Sequence, residues 1–138
     1  NESSASAEVL HQMVAPLFAK GVGIAAVTLG ASGAFVAVNP DNKRLARGSV
    51  LSGVAARWCG QEVIVPALPI AGELNANGAG DAFTAGLIAA LLWKGSELSL
   101  KQAAQLGVES SRQRIDSARH KAPKSLGELV AHVTGGAT

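Results

Sequence analysis

The run GIAAVTLGASGAFVAV, residues 23–38, constrains this chain more than any other stretch. Its first half, GIAAVTLG, is a short, nearly unbroken apolar segment ended by glycine, the pattern of a strand buried on both faces of a parallel sheet. GAFVAV, after ASG, reads as a second strand returning through a hairpin, with PDNK at 40–43 as the next turn. EVIVPAL, 62–68, is a further strand, and PIAGELNANG, 69–78, is loop. RLARGSVLSGVAARWCG, 44–60, fits neither period, and the expectation there is a short strand plus a loop or partial helix.

Helical spacing brackets these strands. Val9, Leu10, Met13, Val14, Leu17 and Phe18 fall at three-and-four intervals between Glu8 and Lys20, with Pro16 expected to interrupt or end the helix. Phe83, Leu87, Ile88, Leu91 and Leu92 predict a largely buried helix from Gly80 to Trp93. Ser99 is placed to cap a helix running to about Arg114, and Ser125 to cap a last one with Glu128 at the reciprocal spacing. Strands alternating with helices predict an α/β layered sheet, incomplete by itself because a buried parallel strand needs neighbours on both sides.

At 138 residues, 48% hydrophobic and 16% charged, the chain is one domain with a core and not a disordered segment. A net charge of +2 with spread basic residues, two Trp, three Phe and no Tyr argues against nucleic acid as the partner. No apolar run approaches the roughly 20 residues of a membrane helix. The single Cys59 allows no intrachain disulfide and no multi-cysteine zinc site, and a cytoplasmic protein is expected. His11, His120 and His132 lack paired spacing and read as surface or packing residues, as do Trp58 and Trp93 as packing. SRQRIDSARHK, 111–121, reads as a solvated cationic face.

NANGAGDAFTAG, 75–86, carries the chemistry. Glycines at the start of a helix let an anion approach backbone N–H groups at its positive end, and Gly78, Ala79 and Gly80 are placed for that. Asp81 then stands in the first turn, where a carboxylate can take a proton from a hydroxyl nucleophile. Glycines before a helix and an aspartate in its first turn are equally what a plain helix start uses. The segment is not a Walker A loop, because Asp81 and Ala82 stand where Lys and Ser/Thr would follow.

NANGAGDAFTAGLIAAL closely resembles the second signature of the PfkB carbohydrate kinases, the ribokinase-like sugar and nucleoside kinases, and AAVTLGASGAFVA is similar to their strand-and-hairpin segment upstream. The resemblance implies the C-terminal part of a ribokinase-like three-layer α/β/α sandwich, spanning 1–138, with substrate-binding residues, lid and Mg·ATP acids upstream. The opening NESSAS without Met agrees with a fragment or truncated member. The implied activity is phosphoryl transfer from ATP, with Mg2+, to a hydroxyl of a small-molecule sugar or nucleoside. Asp81 would be the general base, and Gly78, Ala79 and Gly80 the anion hole. Thr28, Gly30 and Gly33 would lie against ATP, Gly33 being equally explained as a hairpin glycine. Asn75 and Ala76 replace the usual Asp-Thr, so Asn75 would be a weak ligand for a monovalent cation such as K+. The alternative is a non-catalytic nucleotide-binding or assembly module, and an exposed sheet edge could pair two copies as a homo-oligomer.

Overall fold

The computed structural model describes residues 2–67, 77–93, 98–117 and 125–135. The loop expected at 69–78 therefore lies outside the described residues except for Asn77 and Gly78.

Helix α1 spans Glu2–Ala19 and passes straight through Pro16. Proline removes one N–H, but so near the end of the helix the chain closes a turn later. Gly21, at φ +92, ends it: its N–H donates to Phe18 O and that of Val22 to Leu17 O, the paired bonds of a glycine-terminated helix.

Three strands follow as an antiparallel meander: β1 Ile24–Thr28, β2 Ala34–Val38 and β3 Glu62–Val65, in the order β1-β2-β3. The hairpin is as expected, but the burial is not where the apolar run put it. β1 has one described strand neighbour, so Ala26 and Thr28 are exposed, and the strand buried along its whole length is β2. Its alternation splits the core. Phe35 and Ala37, with Ala25, meet Leu10, Val14 and Phe18 of α1 on one face, while Ala34, Val36 and Val38 join the main core on the other.

Residues 44–60 contain no strand. Helix α2 (Asn42–Arg47) starts where Asp41 accepts from the N–H groups of Lys43 and Arg44, a short 3-10 turn covers Leu51–Gly53, and α3 is Ala55–Trp58. The PDNK segment is thus a helix start rather than a free turn. Buried Asn39 organises the crossing: its amide donates to Phe18 O and Val22 O and its carbonyl accepts from Asp41 N.

Helix α4 (Ala79–Leu92) and α5 (Leu100–Ser117) pack antiparallel. Ser99 begins α5 as expected, with Gln102 answering it: Ser99 Oγ accepts from Gln102 N and Gln102 Oε1 from Ser99 N. Ser125 and Glu128 form the full capping box of α6 (Leu126–Val133). On α4 the expectation of a largely buried helix is half met, since Phe83 and Ala90 are buried but Ile88 and Leu92 stay about half exposed, at 50% and 54%. They lie on the side turned away from α5.

The α4–α5 contact is close because it is made through glycines. A Cβ on Gly107 would come within 2.8 Å of the Phe83 ring, and one on Gly86 would collide with Ser110 Oγ and stand 2.9 Å from Leu106 O. The collision is with backbone as well as side chain, so the helices must part to admit it. Gly86→Ala is therefore expected to destabilise the protein by about 1–3 kcal/mol, read as a lower urea midpoint with an unchanged slope.

Candidate active site

Gly78 is the N-cap of α4 and adopts φ +79, ψ 2, a left-handed conformation that L side chains rarely take. It has no side chain to cap the helix. The first-turn N–H groups of Ala79, Gly80 and Asp81 have no intrahelical acceptor, the helical ladder beginning with Ala82 N to Gly78 O at 2.9 Å. At Gly80 a Cβ would meet nothing within 4 Å, so the turn opens onto free space beside its amides. Asp81 is exposed in the same turn. Backbone donors, positive helix end and carboxylate therefore share one patch of surface.

The position of the turn follows from α5. Leu98, just ahead of α5, accepts from Arg57 at 2.9 Å and from the Trp58 indole at 3.1 Å, which pins that end near the start of β3. Gln105, Val108 and Glu109 then lie beside Pro66, just past the end of β3. One turn further, Ser111 Oγ donates to Ala79 O at 2.6 Å. α5 thus carries the glycine turn toward the Val65 end of β3.

Thr28, Gly30 and Gly33 lie at the same end of the sheet, because Thr28 pairs with Ala34 and Ala34 with Val65. Thr28 is exposed, and Gly30, at φ +57, has open space where a Cβ would be. Gly33 differs. At φ +102 it is buried, and a Cβ there would run into Val65 O and the backbone of Pro66 and Ala67, so strand packing accounts for this glycine. Asn75 lies outside the described residues.

Two residues at this site were not legible as such from the sequence. Ser111 holds Ala79, and the Arg114 guanidinium lies against Gly78, its Nε 3.3 Å from where a Cβ would be. The segment read as a solvated cationic face is therefore divided: Arg112 turns to Glu109 and Arg114 to the glycine turn. A signal existed. Gly107, Ser110, Ser111 and Arg114 recur at helical spacing, and the small residues mark the face turned to α4.

Beside the site, Pro66, Gln105, Val108, Glu109, His132 and Val133 line a cavity of about 190 Å³. Glu109 is only 1% exposed. Burial pushes its carboxyl up, but hydrogen bonds from Arg112 and Gln113 and the Arg112 charge outweigh this and hold it below the ordinary glutamate range. His11 instead bonds the Glu62 carboxylate at 2.6 Å, tying α1 to β3. Cys59 is half-buried, its thiol donating to Pro40 O. Among the described residues no three His, Cys, Asp or Glu side chains gather as a metal site. Nor is any described helix long and apolar enough to cross a membrane.

The model of the pfkB family carbohydrate kinases matches residues 1–124. No curated protein and no solved structure matches the chain.

Because Glu109 titrates lower folded than unfolded, its ionisation stabilises the fold above the ordinary glutamate pKa and is lost as pH falls through the folded value. Urea unfolding between about pH 6 and about pH 3 is expected to show stability falling toward acid, with a shallower fall in Glu109→Gln.

Proposed function

The chain belongs to the pfkB family of carbohydrate kinases, and from that premise we propose that it supplies the catalytic turn for phosphoryl transfer from ATP to a hydroxyl of a sugar or nucleoside. The observation that carries this reading is the left-handed Gly78 opening a 14-residue helix with Asp81 exposed in its first turn.

In the proposed reaction Asp81 accepts the proton of the acceptor hydroxyl. The freed oxygen attacks the terminal phosphorus of ATP, the bond from that phosphorus to the bridging oxygen breaks, and ADP leaves with the bond's electron pair. N–H groups of the Gly78–Ala79–Gly80 turn face the equatorial oxygens, where negative charge has to be held. Such donors cost little to use here because they are unpaired within the helix. Thr28 and Gly30, at the same end of the sheet, border the nucleotide in this reading, and the cavity beside Val108 offers its base a recess.

We further read the chain as the C-terminal portion of a ribokinase-like α/β/α sandwich acting in the cytoplasm. Asn75, in place of the usual aspartate, leaves its oxygen but not a charge for a monovalent cation, which favours a weak or absent K+ site.

The test is turnover of ATP by the full chain against a panel of sugars and nucleosides, followed as ADP release. With an acceptor found, Asp81→Asn is expected to lower kcat by about 10²–10⁴-fold while ATP still binds. Unchanged kcat removes Asp81 as the base. ATP binding without turnover on any acceptor would move the reading to a non-catalytic nucleotide-binding module.

A further inference from the structure

We propose that Ser111 of α5 is a positioning residue for the reaction, setting where the first turn of α4 holds the Asp81 carboxylate; the inference rests on the kinase reading above. Its hydroxyl donates to Ala79 O at 2.6 Å, across 32 positions of sequence. Ala79 opens α4 and Asp81 follows in the same turn, so the bond is made to the piece of backbone that carries the carboxylate.

This is not the ordinary use of a serine within a helix. Such a hydroxyl commonly returns to the carbonyl four residues back in its own helix. Neighbouring Ser110 does so, donating to Leu106 O at 2.8 Å, and on α4 Thr84 does the same to Gly80 O at 3.1 Å. Ser111 instead crosses to the other helix, where a carbonyl oxygen with two lone pairs can take the hydroxyl beside a bond of the helical ladder. The start of α4 has use for such a bond. Gly78 caps the helix with no side-chain hydrogen bond, and a Cβ at Gly80 would meet nothing within 4 Å, so neither glycine anchors the turn by a side chain. Glycine also widens the backbone's conformational choice. Close packing at Gly86 and Gly107 fixes α5 against α4, and Ser111 extends that fixed reference to the turn. A proton acceptor must stand within hydrogen-bond reach of the hydroxyl it serves, and misplacement by about 1 Å costs on the order of 10²-fold in rate. Ser111 touches neither nucleotide nor acceptor in this reading and acts through Asp81.

A double-variant cycle tests this on the full chain: natural, Ser111→Ala, Asp81→Asn and both together, each followed as ADP release with ATP and the acceptor found in the panel above. Ser111→Ala is expected to lower kcat about tenfold with the KM for ATP unchanged. Where Asp81 is already Asn, it is expected to lower kcat no further, because no carboxylate is left to position. The Gly80 amide nitrogen resonance is expected to move in Ser111→Ala, since that N–H shares its peptide group with Ala79 O. Should Ser111→Ala fail to fold, Ser111→Cys, whose S–H is a weak donor, takes its place in the cycle. Unchanged kcat, an unmoved Gly80 resonance, or the same fold-loss on both Asp81 backgrounds overturns the assignment of Ser111 and leaves the kinase reading standing. A natural chain that turns over ATP with no acceptor overturns the kinase reading and this inference with it.

Discussion

The close antiparallel contact of α4 and α5 is the constraint on which the site depends. Gly86 and Gly107 remove the side chains that would keep the helices apart, and the Phe83 ring and the Leu106 carbonyl occupy the space so released. Close packing leaves little room for a helix to slide or rotate, so the contact sets the axial position of both. The N-terminus of α4 is consequently held where Ser111 can reach Ala79. A backbone turn of this kind needs such support, because its glycines have no side chains to anchor it.

The sheet supplies the second fixed reference. β2 is buried throughout, with α1 on one face and the larger core on the other, and its pairing with both neighbours brings Thr28, Ala34 and Val65 into line at one end. Buried polar groups lock the surrounding crossings. Asn39 spends its amide on the end of α1 and its carbonyl on the start of α2, and Trp58 ties α3 to the chain entering α5. Each of these groups would carry a desolvation penalty if unpaired, so the connections they specify are strongly preferred. The result is that the hairpin meets the end of β3 at Gly33, while α5 holds the start of α4.

Family membership and geometry bear on different parts of the reading. Membership establishes that the chain is of the carbohydrate kinase kind. Geometry adds which groups at the turn are open: Gly80 borders free space and Gly30 does likewise at the hairpin, whereas Gly33 is accounted for by the carbonyl of Val65. Gly30 and Gly80 thus border open space, while strand packing accounts for the bare backbone at Gly33. Among the charges, buried Glu109 is paired with the partly exposed Arg112, while the Arg114 guanidinium lies against Gly78.

Much of this was legible in the sequence where the determining interactions are local. The capping boxes at Ser99 and Ser125 close within three residues, the hairpin from β1 to β2 is set by a short turn, and the glycine-aspartate start of α4 stands in consecutive positions. What only the tertiary structure decided concerns partners distant along the chain. Among the described residues β1 pairs only with β2, antiparallel, an orientation its own apolar composition cannot express. Residues 42–58 become helical in pieces too short to show a period, stabilised by Asp41 and by burial of Leu45, Ala55 and Trp58. Arg114 reaches Gly78 across 36 positions of sequence, since 114 − 78 = 36. The sequence by itself determined the local chemistry of the turn, because backbone conformation and helix capping are settled by neighbours; the fold alone decided which side chain stands over it, because that depends on how two helices pack.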